Sequence, residues 1–284
     1  MIPGNRLKRR VYTGVFPLVL PMIFIILWKF LSWRLNNPVV LPPPERVALL
    51  LVSPHKDLIG MGPLVKNLAI SLLRVMGGYS LAVVLGVSLG VLMGFYPCFF
   101  TFSNFFLSLF RPIAPLAWVP LVLAWFGVAS LAHLMGVEGG PAYFWLGNIK
   151  ISMLFVIFIA GFFPILTSSI HAIQSVPQPL LDAVLVLGAT EKDLFFKVLL
   201  PAASPHIVNG MRIGLGIAWM SLVSAEMLPG SIAGMGYLIM HAYTLGRTDV
   251  VMMGMVCIGL VGALMDFLFR HFAEKRYHWF YREV

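Results

Sequence analysis

Charge is what this chain has least of. Of its 284 residues only 11% are Asp, Glu, Lys or Arg, against 60% hydrophobic; a soluble domain carries about 25% charged residues. Mean hydropathy is +0.92. That deficit, spread over several apolar runs, excludes an ordinary globular core and predicts an all-α membrane protein. Cysteine is scarce too. Cys98 and Cys257 lie in or beside apolar runs, with no metal-ligand spacing and no disulfide framework. The seven histidines are scattered without an HxH or HxxxH pair, so no metal site is expected. No GxxxxGK[ST] phosphate loop occurs, so the chain is not expected to hydrolyse ATP. The clustered His, Asp and Ser groups of a membrane-embedded enzyme are missing as well. The net charge of +9 sits mainly at the two ends, the pattern of cytoplasmic flanks rather than of a nucleic-acid surface.

What is present is a set of six apolar runs, at about 15–33, 68–95, 99–126, 151–170, 208–228 and 250–269. A bilayer core of about 30 Å needs roughly 20 apolar residues per helical span, so about six transmembrane helices are expected. The first run is too long for a signal-peptide core, and no small-x-small cleavage site follows it. Six spans put both termini on one side. Arg6, Lys8, Arg9 and Arg10, with Arg270, Lys275, Arg276 and Arg282, mark that side as cytoplasmic. The stretches 36–63, 127–150 and 229–248 then become external loops, the first two with room for a short surface helix. The chain divides into an N-terminal basic tail, first span and loop (1–65), a core of five spans (66–270) and a cytoplasmic tail (271–284).

Several residues inside the spans stand out. Gly86, Gly90 and Gly94 recur every fourth position, which fits either a close helix–helix seam or the ordinary glycine content of membrane helices. Pro112, Pro115 and Pro120 predict a broken third span, tolerated only inside protein or beside a water-filled cavity. Arg111 at its break is read either as a snorkelling residue near the cytoplasmic end or as part of a pathway. Gly210, Gly214 and Gly216 suggest tight packing of the fifth span. Glu226 at its outer end has three open readings: a structural or gating group, a substrate contact, or an acid reached by interfacial water. Asp266 and Arg270, four residues apart, read as a structural pair.

The most polar internal stretch is 175–205, with Asp182, Glu191, Lys192, Asp193 and Lys197. Ser175 and Gln178 have capping-box spacing, and Pro177 and Pro179 suit a first turn. Gly188 fits the left-handed position that ends a helix. Thr190 with Asp193 would cap a second helix, which Pro201 and Pro205 would stop. Leu194 with Val198, Phe195 with Leu199 and Phe196 with Leu200 share faces on it. So much apolar surface leaves three readings: a docking site, an anchor in the headgroup layer, or packing under its own bundle.

This stretch resembles the EAA motif of ABC-importer permeases, in which E-A-A is followed by three residues, Gly, nine residues and I-x-L-P. Here Asp182, Ala183 and Val184 precede Gly188 and then Val198, Leu199, Leu200 and Pro201. The segments SLLRVMGGYSLAVVLGVSLGVLMG, RPIAPLAWVPLVLAWFG and GMRIGLGIAWMSLVSAEML resemble counterparts in the nitrate, sulfonate, taurine and bicarbonate branch of these permeases. The resemblance covers about 66–269, and the 127–150 loop is longer than that branch leads one to expect. It implies the type I (MetI-like) importer permease fold and residence in a bacterial cytoplasmic (inner) membrane. Its partners would be two ATPase subunits that bind ATP, a periplasmic or lipid-anchored solute-binding protein, and a second permease copy, identical or related. No cofactor is implied for this chain. Asp182, Ala183, Gly188, Glu191, Leu194, Phe195, Val198 and Pro201 would couple it to the ATPase, with Gly188 as hinge and Phe195 as the outward apolar knob. Arg111, Trp118, Arg212, Trp219, Ser221, Ser224 and Glu226 would line the translocation path. The cargo would be a small oxyanion-type solute. The alternatives are an ABC permease for another solute, such as a thiamine precursor, and a secondary transporter acting alone, for which the spans offer few midplane carboxylates.

Overall fold

The computed structural model describes residues 5–137, 139–227 and 231–281, without the side chains of 5–18, 141, 142, 280 and 281. The basic side chains of Arg6, Lys8, Arg9, Arg10 and Arg282, and the loop residues Glu138, Leu228 and Pro229, lie outside what is described. The elements are helical: α1 (Asn5–Leu35), α2 (Pro44–Val52), α3 (Leu64–Phe95), α4 (Pro97–Phe110), a 3₁₀ turn (Pro115–Trp118), α5 (Val119–Phe126), α6 (Leu131–Leu134), α7 (Gly140–Gly147) and α8 (Ile151–Gln174). Then come α9 (Gln178–Val186), α10 (Glu191–Asp193), a π-helical turn (Leu194–Leu199), α11 (Leu200–Glu226), α12 (Met235–Thr244), α13 (Thr248–Arg276) and α14 (His278–Tyr281).

Four helical stretches are long and apolar enough to cross a membrane: Leu64–Phe95, Ile151–Gln174, Glu191–Glu226 and Thr248–Arg276. The pair Pro97–Phe110 and Pro115–Phe126, bent by 82°, makes a fifth if it is one broken span. The bend falls at Pro112 and Pro115, which cannot continue a helix begun before them, whereas Pro120 sits in the first turn of α5, where its missing amide costs no bond. α1 carries the 15–33 run, and beside it these four to five spans are roughly consistent with the six expected.

The described residues fall into two compact units. One holds α1, α2 and the chain to Leu64, together with Leu238–Cys257. Within it Trp28 Nε1 and Ser32 Oγ donate to the carbonyls of Pro42 (3.0 Å) and Leu41 (2.9 Å), folding the loop back on α1. Arg46 and Arg247 share the Asp249 carboxylate at 3.1 and 2.9 Å.

The other unit, Val65–Tyr237 with Ile258 onward, is built around α8. Its core includes Val75, Tyr79, Ile157, Ile165, Leu215, Ala218, Trp219 and Leu222. Glycines bring α3 against α8. A Cβ on Gly78, Gly90 or Gly94 would stand 2.7, 2.5 and 2.7 Å from the Cβ of Ile157, Ser169 and Ile173, and one on Gly86 would stand 3.0 Å from Ile165 Cγ2. Each glycine faces the residue 79 positions on, so the two helices run parallel in fixed register. This settles the open reading of the glycine spacing in favour of a packing seam. On another face α11 runs antiparallel to α8, with Gly210 against Ser168 and Gly214 against Ile165.

Two expectations about boundaries fail. The 229–248 stretch is not all loop, since it contains α12. Pro201 and Pro205 do not stop the second loop helix, which runs unbroken from Glu191 to Glu226. The widened π turn at Leu194–Leu199 sits where Pro201 has no N–H to give. The hydroxyl of Ser204 donates to the Pro201 carbonyl at 2.8 Å, serving the acceptor that Pro205 leaves without an amide.

Candidate functional site

Two polar regions of the second unit stand apart from its apolar bulk. The first joins the ends of α3 and α11. Arg74 and Glu226 are both fully buried, and Nη1 meets Oε1 at 2.6 Å. Burying two charges is costly unless every donor and acceptor is met, and here nearly all are. Arg74 Nε and Nη2 donate to the Asn148 carbonyl at 2.9 and 2.7 Å, and Nη1 also donates to the Ala233 carbonyl at 2.8 Å. Glu226 accepts from Ser71 Oγ at 2.8 and 2.9 Å and from the Gly236 amide at 3.0 Å. Ser71 Oγ accepts in turn from the Met235 amide, and Asn67 Oδ1 from the Gly234 amide, each at 2.9 Å.

Asn67, Ser71 and Arg74 therefore form one polar edge of α3 at helical spacing, and they tie down the 231–236 backbone. Gly234 has φ +119, and a Cβ there would lie 2.3 Å from Glu226 Oε1, so only glycine lets the chain pass over the carboxylate. The 127–150 insert is fastened at the same place. Its ends pair in an antiparallel bridge between Ser130 and Lys150, with Leu131 and Ile151 amides donating to the Ile149 and Ala129 carbonyls. Lys150 is buried beside Arg74; burial first, then the guanidinium's charge, pushes its pKa down.

Of the three readings of Glu226, exposure to interfacial water is overturned, since none of the side chain is exposed. It is sealed in an ion pair rather than open to a path. Arg74 has no part in the sequence expectations. The signal was available, because a lone arginine inside an apolar run must find a partner, and Glu226 is an acid with the same need.

The second polar region is the 175–201 loop. The capping box between Ser175 and Gln178 does not form. Ser175 Oγ donates back to the Ala172 carbonyl at 3.0 Å, and Pro177 takes the cap position without a side-chain bond. Gln178 reaches Asp182 instead, at 3.3 Å. At the other end α9 closes as the glycine predicts. Gly188 has φ +85, with the Ala189 amide on the Val184 carbonyl and the Gly188 amide on the Leu185 carbonyl. The Thr190–Asp193 capping box is complete: Thr190 Oγ1 accepts from the Asp193 amide, and Asp193 Oδ2 accepts from the Thr190 amide.

The apolar residues of this loop split between two faces. Phe195 turns inward and stacks edge-on against Phe95 at 5.0 Å, within a cluster that includes Leu199, Ala203 and Ile207. It is not the outward knob. Phe196 is 64% exposed, and Val186 and Leu187 at the end of α9 are 87% and 85% exposed. Leu194 and Val198 are half-buried, whereas Asp182, Ala183, Gly188, Glu191 and Pro201 are exposed.

The residues expected along a path are scattered. Arg212 binds Asp266 in a fork, Nε to Oδ1 at 2.5 Å and Nη2 to Oδ2 at 2.9 Å. This replaces the expected Asp266–Arg270 pair; Arg270 approaches Glu274 at 3.7 Å. Trp219 is buried and donates to the Ile258 carbonyl at 3.2 Å. Arg212, Trp219 and Asp266 line a small cleft with Gly216 and Gly262. Ser224 donates to the Met220 carbonyl within its own helix, and Ser221 is half-buried. Trp118 lies between Phe110 and Phe155. Arg111 belongs to a separate open pocket of about 280 Å³, formed with Ile113, Pro115, Ile159, Ala160, Phe163, Pro164, Thr167 and Ile217.

Against known proteins, the profile of the binding-protein-dependent transport system inner membrane component family matches residues 82–277. The chain belongs to this family. It is therefore a multi-pass inner-membrane permease component, of a family that implies an ATPase and a solute-binding protein as partners and whose members similar to this chain are non-catalytic transport permease subunits. A lone secondary transporter is set aside. The permease is 43% identical over 276 residues to an ABC transporter permease protein of Methanocaldococcus jannaschii, covering 97% of this chain and 96% of that one. It is 34% identical over 259 residues to the bicarbonate transport system permease protein of Synechocystis, covering 87% and 85%. It is 30% identical over 262 residues to the taurine transport system permease protein of Escherichia coli, covering 92% and 87%.

Proposed function

We propose that this permease imports a small oxyanion-type solute and receives the work for it at the 175–201 loop, from ATPase subunits that bind ATP on separate chains. The observation that carries the coupling is continuity. The helix beginning at Glu191 has no break before Glu226, a rise of about 54 Å at 1.5 Å per residue. One end is a capped loop helix with exposed apolar neighbours; the other carries the Arg74–Glu226 pair. A displacement imposed on Glu191, Leu194 and Val198 would travel along this rod, while Gly188 lets α9, with Asp182 and Ala183, swing separately. Pro201 lies where the loop helix becomes the span. In this reading both termini are cytoplasmic, and a second permease copy completes the path. Relatives named for bicarbonate, taurine, nitrate and aliphatic sulfonates support the cargo class.

The test is reconstitution of the permease with its ATPase and binding protein in vesicles, followed by ATP-dependent uptake of bicarbonate, nitrate, taurine, an alkanesulfonate and a thiamine precursor. Uptake of one of the first four is expected; uptake of the last alone overturns the cargo class. Gly188→Arg should insert normally and abolish uptake. Normal substrate-stimulated ATPase activity in that complex would sink the coupling reading.

A further inference from the structure

Arg74, Arg111 and Arg212 of the second unit have very different surroundings. Arg74 has every group of its guanidinium engaged, and Arg212 is forked onto Asp266. Arg111 has neither: among the described residues no hydrogen bond, ion pair or ring contact engages its side chain. It is exposed and lines the open pocket of about 280 Å³.

Depth matters here. Ile159, Ala160, Phe163, Pro164 and Thr167 of α8 share that cavity. They straddle the middle of a 24-residue helix, with Phe163 about 18 Å from its start. Its neighbours lie midway along a span rather than at its end, which favours the pathway reading of Arg111 over the snorkelling one. An unpaired guanidinium at such depth is too costly to leave unmatched. The break between α4 and the 3₁₀ turn holds it there, since Pro112 and Pro115 forbid a continuous helix.

The geometry points to Arg111 as a mid-membrane station for the transported oxyanion, its planar fork receiving two oxygens of a carbonate-, nitrate- or sulfonate-type group. This rests on the cargo class proposed above. A fork of N–H donors matches two coplanar oxygens in both charge and spacing. The other lining side chains are apolar apart from Thr167, whose hydroxyl already donates to the Phe163 carbonyl at 2.8 Å. One unpaired cation in an apolar cavity suits a singly charged anion, held strongly enough to enter and weakly enough to leave.

The test uses the full reconstituted complex, with Cys98 and Cys257 replaced by serine so that a new thiol is the only one on this chain. Arg111→Cys and Arg111→Gln should lower oxyanion uptake about tenfold or more, the worth of one charged hydrogen bond. Assembly is checked by copurification of the ATPase. Treating Arg111→Cys with aminoethyl methanethiosulfonate, which restores a cation, should recover uptake; the anionic sulfonatoethyl reagent should not. The anion that wild-type complex transports should also slow modification of the cysteine. Uptake by Arg111→Gln at the wild-type rate overturns the station. So does cationic rescue without protection by the anion, which would mark a fixed ion pair with another chain. Failure of the wild-type complex to move any oxyanion defeats the cargo class instead, and the two failures are thereby told apart.

Discussion

The two polar regions of the permease use charge in opposite ways. Around Arg74 and Glu226 the charges are wholly buried and four chain segments converge on them: α3, the end of α11, the 231–236 backbone and the close of the 127–150 insert. In the 175–201 loop the charges are exposed, the bonds are local caps, and apolar side chains stand in the open. One region is satisfied from within, so its interactions are worth most where they are. The other is left for something else to complete, and its sequence secures only its own shape. The proposed coupling, a push from one end, needs this asymmetry: a rod fixed at its far end and free to be gripped at the near one.

The largest effect should come from splitting the buried pair. Arg74→Met or Glu226→Leu leaves an uncompensated charge, and each should cost about 3–5 kcal/mol, read as a lower melting temperature of the purified permease in nanodiscs. The double variant should cost less than the sum of the two. Additive losses would mean the two groups do not act as a pair. Overpacking the seam comes next. Gly90→Leu should destabilise by about 1–3 kcal/mol in the same assay, because its Cβ alone would stand 2.5 Å from Ser169; an unchanged melting temperature would show that the seam yields.

Effects on the loop should be small for stability and large for transport. Thr190→Ala removes a cap worth about 1 kcal/mol and should weaken ATPase copurification more than it lowers melting temperature. The reverse order would return the loop to a purely structural role. Phe196→Ala should leave the fold untouched and reduce copurification, whereas Phe195→Ala should lower melting temperature by emptying the contact with Phe95. Equal effects of the two would erase the division into inner and outer faces. Lys197→Ala, which breaks an exposed pair with Asp193, should change neither within measurement error.

How much was legible in the sequence depends on how far apart the partners lie. The spans were readable because a bilayer demands long apolar runs. The glycine seam was readable from a four-residue repeat, and Gly188 and Thr190 from turn and cap chemistry that acts over three or four residues. Arg74 and Glu226 are 152 positions apart, and nothing local announces their contact. Asp266 was misassigned for the same reason: the near arginine, four residues on, lost to Arg212, 54 positions away. The prolines misled differently. Pro201 and Pro205 forbid ordinary helix bonds, but a π turn and the Ser204 hydroxyl supply what they remove. The direction of Phe195 could not be read at all, since three apolar faces share one short helix and only Phe95 decides among them.

The seam between α3 and α8 limits how this molecule can change shape. Four glycines, each meeting the residue 79 positions later, work like the teeth of a rack set against its pinion. Displaced along the axis by part of a turn, larger side chains would arrive where only glycine fits, and close-packed interiors do not yield to that. Shear between these two helices is thereby forbidden. They move as a single plank, and the hinges of any transport cycle must be sought along its edges.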